Sequence, residues 1–434
     1  VDILRFNTDI LLKLFLSDNP GGVILPGVVG AGKTSMIAQL CALLAKNGYE
    51  IATYDGDDSL FRTQIRATSR YILDDIQSRG MQRPFVYVDE VQKEPQIFDA
   101  IKMAFDKAKA SFIVSGSNPA LLRTSANDRL QRRAVMIPQL PLSMAEIALH
   151  QGLISKKQDL EEMTRLLTSP KNISSVTLTS CRLPDAMGAL VNRYLVVGGL
   201  PQAWLAKSDV ESFRAVKLIA ERGISETYQT TIAADDEIRR FLADRNAQEF
   251  AYKGIQQTLR SSKRAVVDRV IDHLLNHGYL FKRTPYLGQY SLTHSTYFAN
   301  YSWVDPGIVS YYSTAKPSPQ ELGFRLESYV YTRLFDRLAH VPFKSSIYYF
   351  KPFKIKPSND ALSFGSGEID FIIQIGREVI PIEVKATARI RDVDTSLMEE
   401  FISEHRAHYG IVLYGGSTYV DSDRKIIFYP YWLI

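Results

Sequence analysis

Cysteine is almost missing: Cys41 and Cys181 are the only two in 434 residues. Two thiols cannot make a disulfide framework or a zinc site by themselves, so a reducing cytoplasm is the expected setting. No apolar run nears the ~18–20 residues of a membrane span. Nothing resembles a secretory leader, and no membrane partner is expected. The chain starts at Val1 rather than Met, so some upstream sequence is expected. A strong charge of either sign is lacking too. The net charge of +5 permits nucleic-acid binding, but only its local distribution can argue for it. What is present is ordinary for a soluble globular chain: 45% hydrophobic and 23% charged residues, over a length that suggests two to four domains.

The most informative stretch is Gly22 to Met36. An apolar run (Val23, Ile24, Leu25) enters a glycine-rich turn, and Ile37, Leu40, Cys41 and Leu44 then recur at helical spacing until Asn47-Gly48. Gly27, Gly32, Lys33 and Thr34 fit G-x-x-x-x-G-K-[ST], with Gly30 and Ala31 inside the loop and Ser35 after it. Glycines let consecutive backbone N–H groups surround a phosphate, and the helix N-terminus adds further donors. In this P-loop reading, Lys33 reaches the β- and γ-phosphates of ATP and the Thr34 hydroxyl faces Mg²⁺.

Residues 1–140 alternate strand-like and helix-like segments, the pattern of a parallel α/β sheet. Pro84 to Glu90 is an apolar strand ending in two acids. Asp89 is assigned to the Mg²⁺ shell and Glu90 to polarising the attacking water. Ser111 to Asn118 is another apolar strand, ending in small polar residues. Ser117 or Asn118 could sense the γ-phosphate, or could belong to an ordinary polar turn.

Residues 141–245 read as a mostly helical lid. Tyr194 to Pro201 (YLVVGGLP) reads as a sharp turn between helices. From 246 to 315 the spacing suits a winged helix. Seven basic residues, including Lys263, Arg264 and Arg269, face only Asp268 and Asp272 between positions 250 and 290. The segment is either a DNA-binding module or a packing module between domains.

Residues 320–434 hold a second constellation. Two alternating runs, Glu368 to Ile375 and Glu378 to Lys385, flank Gly376-Arg377, a pair suited to a type II′ hairpin. That turn sets Asp370 opposite Glu383, and Glu368 opposite Lys385, on one face. Ile369, Phe371 and Ile373 with Ile380, Ile382 and Val384 would form an apolar opposite face. Facing carboxylates repel unless a cation lies between them. Asp370 and Glu383 therefore read as Mg²⁺ ligands, with Lys385 positioning or activating water. Glu327 lies on the apolar stripe of a helix, where it needs a cation or hydrogen-bond donors. The alternative for all four is a structural salt-bridge network.

The order GKT (Gly32–Thr34), VDEVQK (Val88–Lys93), SGSN (Ser115–Asn118), Arg132-Arg133 and PLSxxE (Pro141–Glu146) resembles the prokaryotic AAA-type ATPases whose C-terminal half is a domain of unknown function. The resemblance implies a role for Arg133 as an arginine finger or as a structural arginine. This chain has Arg132-Arg133 where the family usually has Gly-Arg. The C-terminal spacing is similar to the D…E-x-K core of restriction-endonuclease-like nucleases, and that likeness implies a third acidic role for Glu327. The expected fold is α/β: an AAA-type P-loop domain, a helical lid, a winged helix and a restriction-endonuclease-like domain. The expected function is ATP hydrolysis coupled to work on DNA, with ATP or ADP and Mg²⁺ bound and homo-oligomers possible. The alternative is a nucleotide-controlled switch or scaffold that binds DNA or a protein without cutting.

Overall fold

A computed structural model describes residues 3–17, 21–130, 132–154, 160–170, 172–179, 186–225, 232–251, 254–255, 264–288, 298–313, 317–341, 343–355 and 362–434. The first sheet contains β1 (Gly22–Pro26), β2 (Glu50–Asp55), β3 (Pro84–Asp89), β4 (Ser111–Gly116) and β5 (Ala134–Met136). All its pairings are parallel, in the order β2-β3-β4-β1-β5. Its inner strands β3, β4 and β1 are buried on both sides because helices cover both faces. Val23, Leu25, Phe85 and Tyr87 meet the helices Phe6–Phe15 and Lys33–Lys46. Ile24, Val86 and Val88 turn the other way, toward Phe61, Ile72, Phe98 and Ile101. β4 therefore separates the strand that feeds the glycine loop from the strand that ends in Asp89.

A three-stranded antiparallel sheet follows: β6 (Glu249–Ala251), β7 (Leu280–Arg283) and β8 (Phe298–Trp303), with β8 in the middle. The helix Arg264–Asn276 precedes β7 and buries Val267, Val270, Ile271 and Leu274. Other parts of the segment expected to form a winged helix fall at 252–253, 256–263 and 289–297, outside the described residues, as do Lys263 and Cys181.

The last part contains β9 (Ser345–Phe350), β10 (Phe353–Ile355), β11 (Leu362–Phe364), β12 (Ile369–Ile375), β13 (Glu378–Val384), β14 (Gly410–Tyr414), β15 (Tyr419–Asp421) and β16 (Ile426–Pro430). Six of them form a mixed sheet in the order β15-β16-β14-β13-β12-β9, while β10 and β11 pair with each other. The β12–β13 register, Phe371 with Ile382 and Ile375 with Glu378, is the one the Gly376 turn predicts. Gly376 has φ 61°, as the first position of a type II′ turn requires.

The expected single apolar face needs correcting. Between Ile369 and Ile372, β12 carries one residue more than β9, a bulge around Asp370 and Phe371. Ile369 consequently packs with Ile372 against Met398, Phe401 and Ile402, while Phe371 and Ile373 pack on the other side. Both faces of the sheet are buried.

The helix Pro319–Ala339 opens with a capping box between Ser318 and Glu321. It buries residues around most of its circumference, so it runs through the interior instead of lying on it. One continuous core joins Leu142, Ile147 and Trp204 to Val270, Tyr279 and Trp303. The same core continues through Leu326, Val330 and Leu334 to Ile382, Ile411 and Trp432. Among the described residues, the segments 141–245, 246–315 and 320–434 thus share apolar packing, whereas the first sheet has its own. No helix among them is long and apolar enough to cross a membrane.

Candidate functional site

The glycine loop lies between the end of β1 and the helix Lys33–Lys46. Gly30 (φ 80°) and Gly32 (φ 84°) hold left-handed backbone, which disfavours a Cβ, and so the loop can fold back over the helix start. Gly27, Ala31, Ser35 and Thr34 complete the turn, with Thr34 and Ser35 exposed. Lys33 is buried, and its Nζ donates to the carbonyls of Gly27 at 2.8 Å and Val28 at 3.3 Å. Burial pushes its ammonium below the ordinary lysine value, and Glu90 and Asp89 partly oppose that push.

The acids at the end of β3 meet this loop across β4. The Thr34 hydroxyl donates to Asp89 Oδ2 at 3.3 Å, and the Ser115 hydroxyl donates to Asp89 Oδ1. Glu90 is left-handed (φ 44°), and its carboxylate accepts from Ser117 Oγ at 3.1 Å and from Gln92 Nε2. Of the two sensor candidates, it is Ser117 that reaches Glu90. Asn118 makes packing contacts. Its Oδ1 caps the helix Pro119–Arg129 through Leu121 N (2.9 Å), and its Nδ2 lies 3.3 Å from His277 Nε2.

Of the two roles open to Arg133, the contacts within its own chain support the structural one. It precedes β5 beside Gly22, whose N–H donates to its carbonyl, while the glycine loop follows Pro26 at the opposite end of β1. Its guanidinium is bidentate on Asp106, at 2.8 and 3.0 Å. In its own chain Arg133 is a structural arginine, not a group at the nucleotide site.

Sequence reasoning passed over the residues that brace the loop. Buried Arg5 donates to the Ala31 carbonyl (3.0 Å), to the Leu140 carbonyl (2.6 Å) and to Glu146 Oε1 (3.1 Å). Glu146 also closes a capping box with Ser143, which gives the PLSxxE stretch its physical role. A lone arginine between Leu4 and Phe6, flanked by apolar residues, was the available signal.

At the second constellation the bulged end of β12 brings the acids together. Val384 N donates to Asp370 Oδ2 at 2.7 Å, and Asp370 N donates to Glu383 Oε2 at 3.4 Å. Side chains therefore finish the ladder where backbone pairing stops. Lys385 Nζ lies 2.5 Å from Glu383 Oε1. Glu327, from the central helix, is paired with Arg283 Nη1 at 3.3 Å. Burial, followed by repulsion from Asp370, pushes Glu383 up to about 8. The same two causes raise Glu327 well above the carboxylate range. Burial raises Asp370 as well.

These shifts bear on whether a metal fits. Burial disfavours ionising the three carboxyls even beside Lys385 and Arg283, and Mg²⁺ commonly takes one or two carboxylates together with water and phosphate oxygens. Asp370 and Glu383 suit such a partial set, as do Thr34 and Asp89 at the loop. Among the described residues, however, no three or more His, Cys, Asp or Glu side chains gather as metal ligands. Of the expected DNA contacts, Arg264 lies 3.6 Å from Asp268 and Arg269 lies 3.6 Å from Asp235.

Two protein families match the chain: one described as "AAA domain" over residues 19–148, and one described as "Domain of unknown function (DUF4143)" over residues 322–434. The chain thus carries an AAA domain and a C-terminal DUF4143 domain, and the parallel five-stranded sheet belongs to the first. No curated protein matches the chain. Similar solved structures include the S. cerevisiae Hsp104–ADP complex, at 15% identity and TM-score 0.32, covering 64% of this chain and 38% of that one. The chain therefore spans well under two thirds of Hsp104. The Thermotoga maritima RuvB Holliday junction branch migration motor is 13% identical with TM-score 0.27, covering 65% of this chain and 90% of that one. AMPPCP-bound DnaA from Aquifex aeolicus is 14% identical with TM-score 0.26, covering 63% and 87%.

Proposed function

We propose that the protein binds and hydrolyses ATP and uses the cycle to act on DNA through its C-terminal domain. The observation carrying the first half is the meeting of Lys33, Thr34, Asp89 and Glu90 at one end of the sheet. Lys33 would transfer from the loop carbonyls to phosphate oxygens. Thr34 and Asp89 would hold Mg²⁺, which supplies charge neutralisation on the phosphates when bound. Glu90, held by Ser117 and Gln92, would orient and polarise the attacking water.

The second half rests on Asp370, Glu383 and Lys385 converging at the bulged end of β12, the donor set of a restriction-endonuclease-like site. In that reading Glu327 is the third acid of the group, Asp370 and Glu383 bind Mg²⁺, and Lys385 orients water at a phosphodiester. The three-stranded sheet with the helix Arg264–Asn276 would serve as a winged helix, with Arg264 and Arg269 facing DNA. Mg²⁺-dependent nicking of plasmid DNA, lost in Asp370→Ala and retained in Lys33→Ala, is the expected result.

A second reading is favoured by Arg283, whose buried guanidinium already contacts Glu327. The C-terminal domain would then bind DNA or a protein without cutting, as a nucleotide-controlled switch. DNA binding of ordinary strength, with no cleavage under Mg²⁺ or Mn²⁺, would select it.

A further inference from the structure

The two candidate sites are joined by one short strand. At its start, Gly278 and Tyr279 lie on the glycine loop. A Cβ on Gly278 would stand 3.2 Å from Pro119 Cγ and 3.9 Å from Val28 Cγ1. A Cβ on Gly223 would stand 2.0 Å from the Tyr279 hydroxyl and 3.1 Å from Val29 Cβ, so tyrosine and loop meet across that glycine. Tyr279 itself is buried.

Four residues later the same strand ends in Arg283, which is 3% exposed. Its Nη1 donates to Glu327 (3.3 Å) and to the Ala247 carbonyl (3.2 Å), and its Nη2 donates to the Asp370 carbonyl (3.0 Å). Arg283 thus touches the helical acid and the backbone of the bulge that aims Asp370.

The strand between these ends is braced on both sides. Leu280 to Arg283 pair with Trp303 to Asn300 of β8. Just beyond, Tyr349 N donates to the Thr284 carbonyl at 3.0 Å, and Tyr286 N donates to the Tyr349 carbonyl at 2.6 Å, tying the segment to the edge of the six-stranded sheet. Extended backbone from Tyr279 to Arg283 spans about 13 Å. A segment paired in this way moves as a unit more readily than it stretches.

We propose that β7 couples the phosphate loop to the acidic group, and that Arg283 is a built-in counter-cation seated or withdrawn according to nucleotide occupancy. Nucleotide draws Lys33 off the Gly27 and Val28 carbonyls, the loop around Val29 shifts, and Tyr279 carries that shift into the strand. Withdrawal of Arg283 leaves Glu327 without its ion-pair partner, frees the Asp370 carbonyl, and favours a divalent ion beside Asp370 and Glu383. The inference rests on the metal-binding reading of those two acids. Coupling of this kind is reciprocal, so metal at the acids tightens nucleotide binding by the same factor.

The test is Mn²⁺ titration of the full chain, followed by electron paramagnetic resonance, scoring only the site that disappears in Asp370→Asn. In nucleotide-free protein, Arg283→Gln is expected to tighten that site about tenfold or more, and Arg283→Lys is expected to stay near wild type. A non-hydrolysable ATP analogue is expected to tighten the site in wild type, to have no further effect in Arg283→Gln, and to lose its effect in Tyr279→Phe. An Asp370-dependent site indifferent to Arg283 and to nucleotide overturns the coupling and leaves the metal-binding reading standing. Absence of any such site in every variant overturns both. Should Arg283→Gln fail to fold, the nucleotide effect in wild type against Tyr279→Phe decides the matter by the same criteria.

Discussion

Arg5 Nε donates to Glu146 Oε1 at 3.1 Å across 141 positions of sequence, and the same guanidinium holds the carbonyl of Ala31 inside the glycine loop. The loop's shape is therefore set partly by the helix Met144–His150. Glu146→Ala leaves a buried arginine without its carboxylate, and also removes the acceptor of Phe6 N and Ser143 N. The expected loss is about 3–5 kcal/mol in urea unfolding, as for other broken buried pairs. Arg5→Lys keeps the charge but not the three-way fork, and should weaken ADP binding about tenfold in a fluorescence titration. Unchanged ADP affinity in a folded Arg5→Lys protein would show that the brace does not shape the loop.

The neighbouring residues Ser117 and Asn118 separate chemistry from packing. Glu90→Gln is expected to bind ATP normally and to hydrolyse it at least about a hundredfold more slowly, since the carboxylate is the base at the γ-phosphate in this reading. Asn118→Ala removes a helix cap and the contact with His277. It should cost about 1 kcal/mol of stability while leaving turnover within about twofold. A large turnover defect in Asn118→Ala, with no loss of stability, would return the sensor role to that residue.

These assignments show what was legible in the sequence. Local rules carried far: the glycine loop, the acid-ended strand and the Gly376 hairpin each depend on neighbours within a few residues, and the β12–β13 register follows from its turn alone. The bulge at Asp370 was not legible, because it exists only against β9, some twenty residues upstream. Arg5, Glu146 and Arg283 escaped for a related reason. Each is a buried charge whose partner lies 44 to 141 residues away, and periodicity carries no information at that range. Asn118 stayed between two readings because one polar side chain after a strand can serve as a sensor or as a cap, and its bond to Leu121 N exists only in three dimensions.

The acids at the end of β12 and β13 make stability depend on pH in a definite direction. Glu383 is pushed up to about 8, so the folded chain keeps a proton that the unfolded chain sheds near the ordinary glutamate value. Between those two values the folded state binds more protons, and stability must fall as pH rises, by at most about 1.4 kcal/mol per pH unit for one group. Glu327 and Asp370 are shifted the same way. The melting temperature of metal-free protein should therefore decline from pH 5 to pH 8, and Glu383→Gln should flatten that decline. If Mg²⁺ binds these carboxylates, it should restore stability most at the alkaline end. A decline equally steep in Glu383→Gln would place its origin elsewhere.

The YLVVGGLP turn offers the sharpest test of packing. Gly198 has φ 81°, and a Cβ there would lie 2.0 Å from Asp305 Oδ1. Asp305 is wholly buried and accepts from Gly199 N (2.7 Å) and Gly307 N (2.8 Å). Burial raises its carboxyl to about 6 against the pull of those N–H groups. Gly198→Ala adds both a left-handed strain and a clash with a side chain that cannot retreat, so a loss above about 2 kcal/mol is expected. Asp305→Asn keeps the shape but turns one acceptor into a donor facing an N–H, at a cost of about 1–3 kcal/mol. Because the two changes disturb the same contact, their combination should fall short of the sum by at least about 0.5 kcal/mol in chemical denaturation. Strict additivity would mean that the glycine answers to something other than Asp305, and that the turn is not held by the carboxylate beneath it.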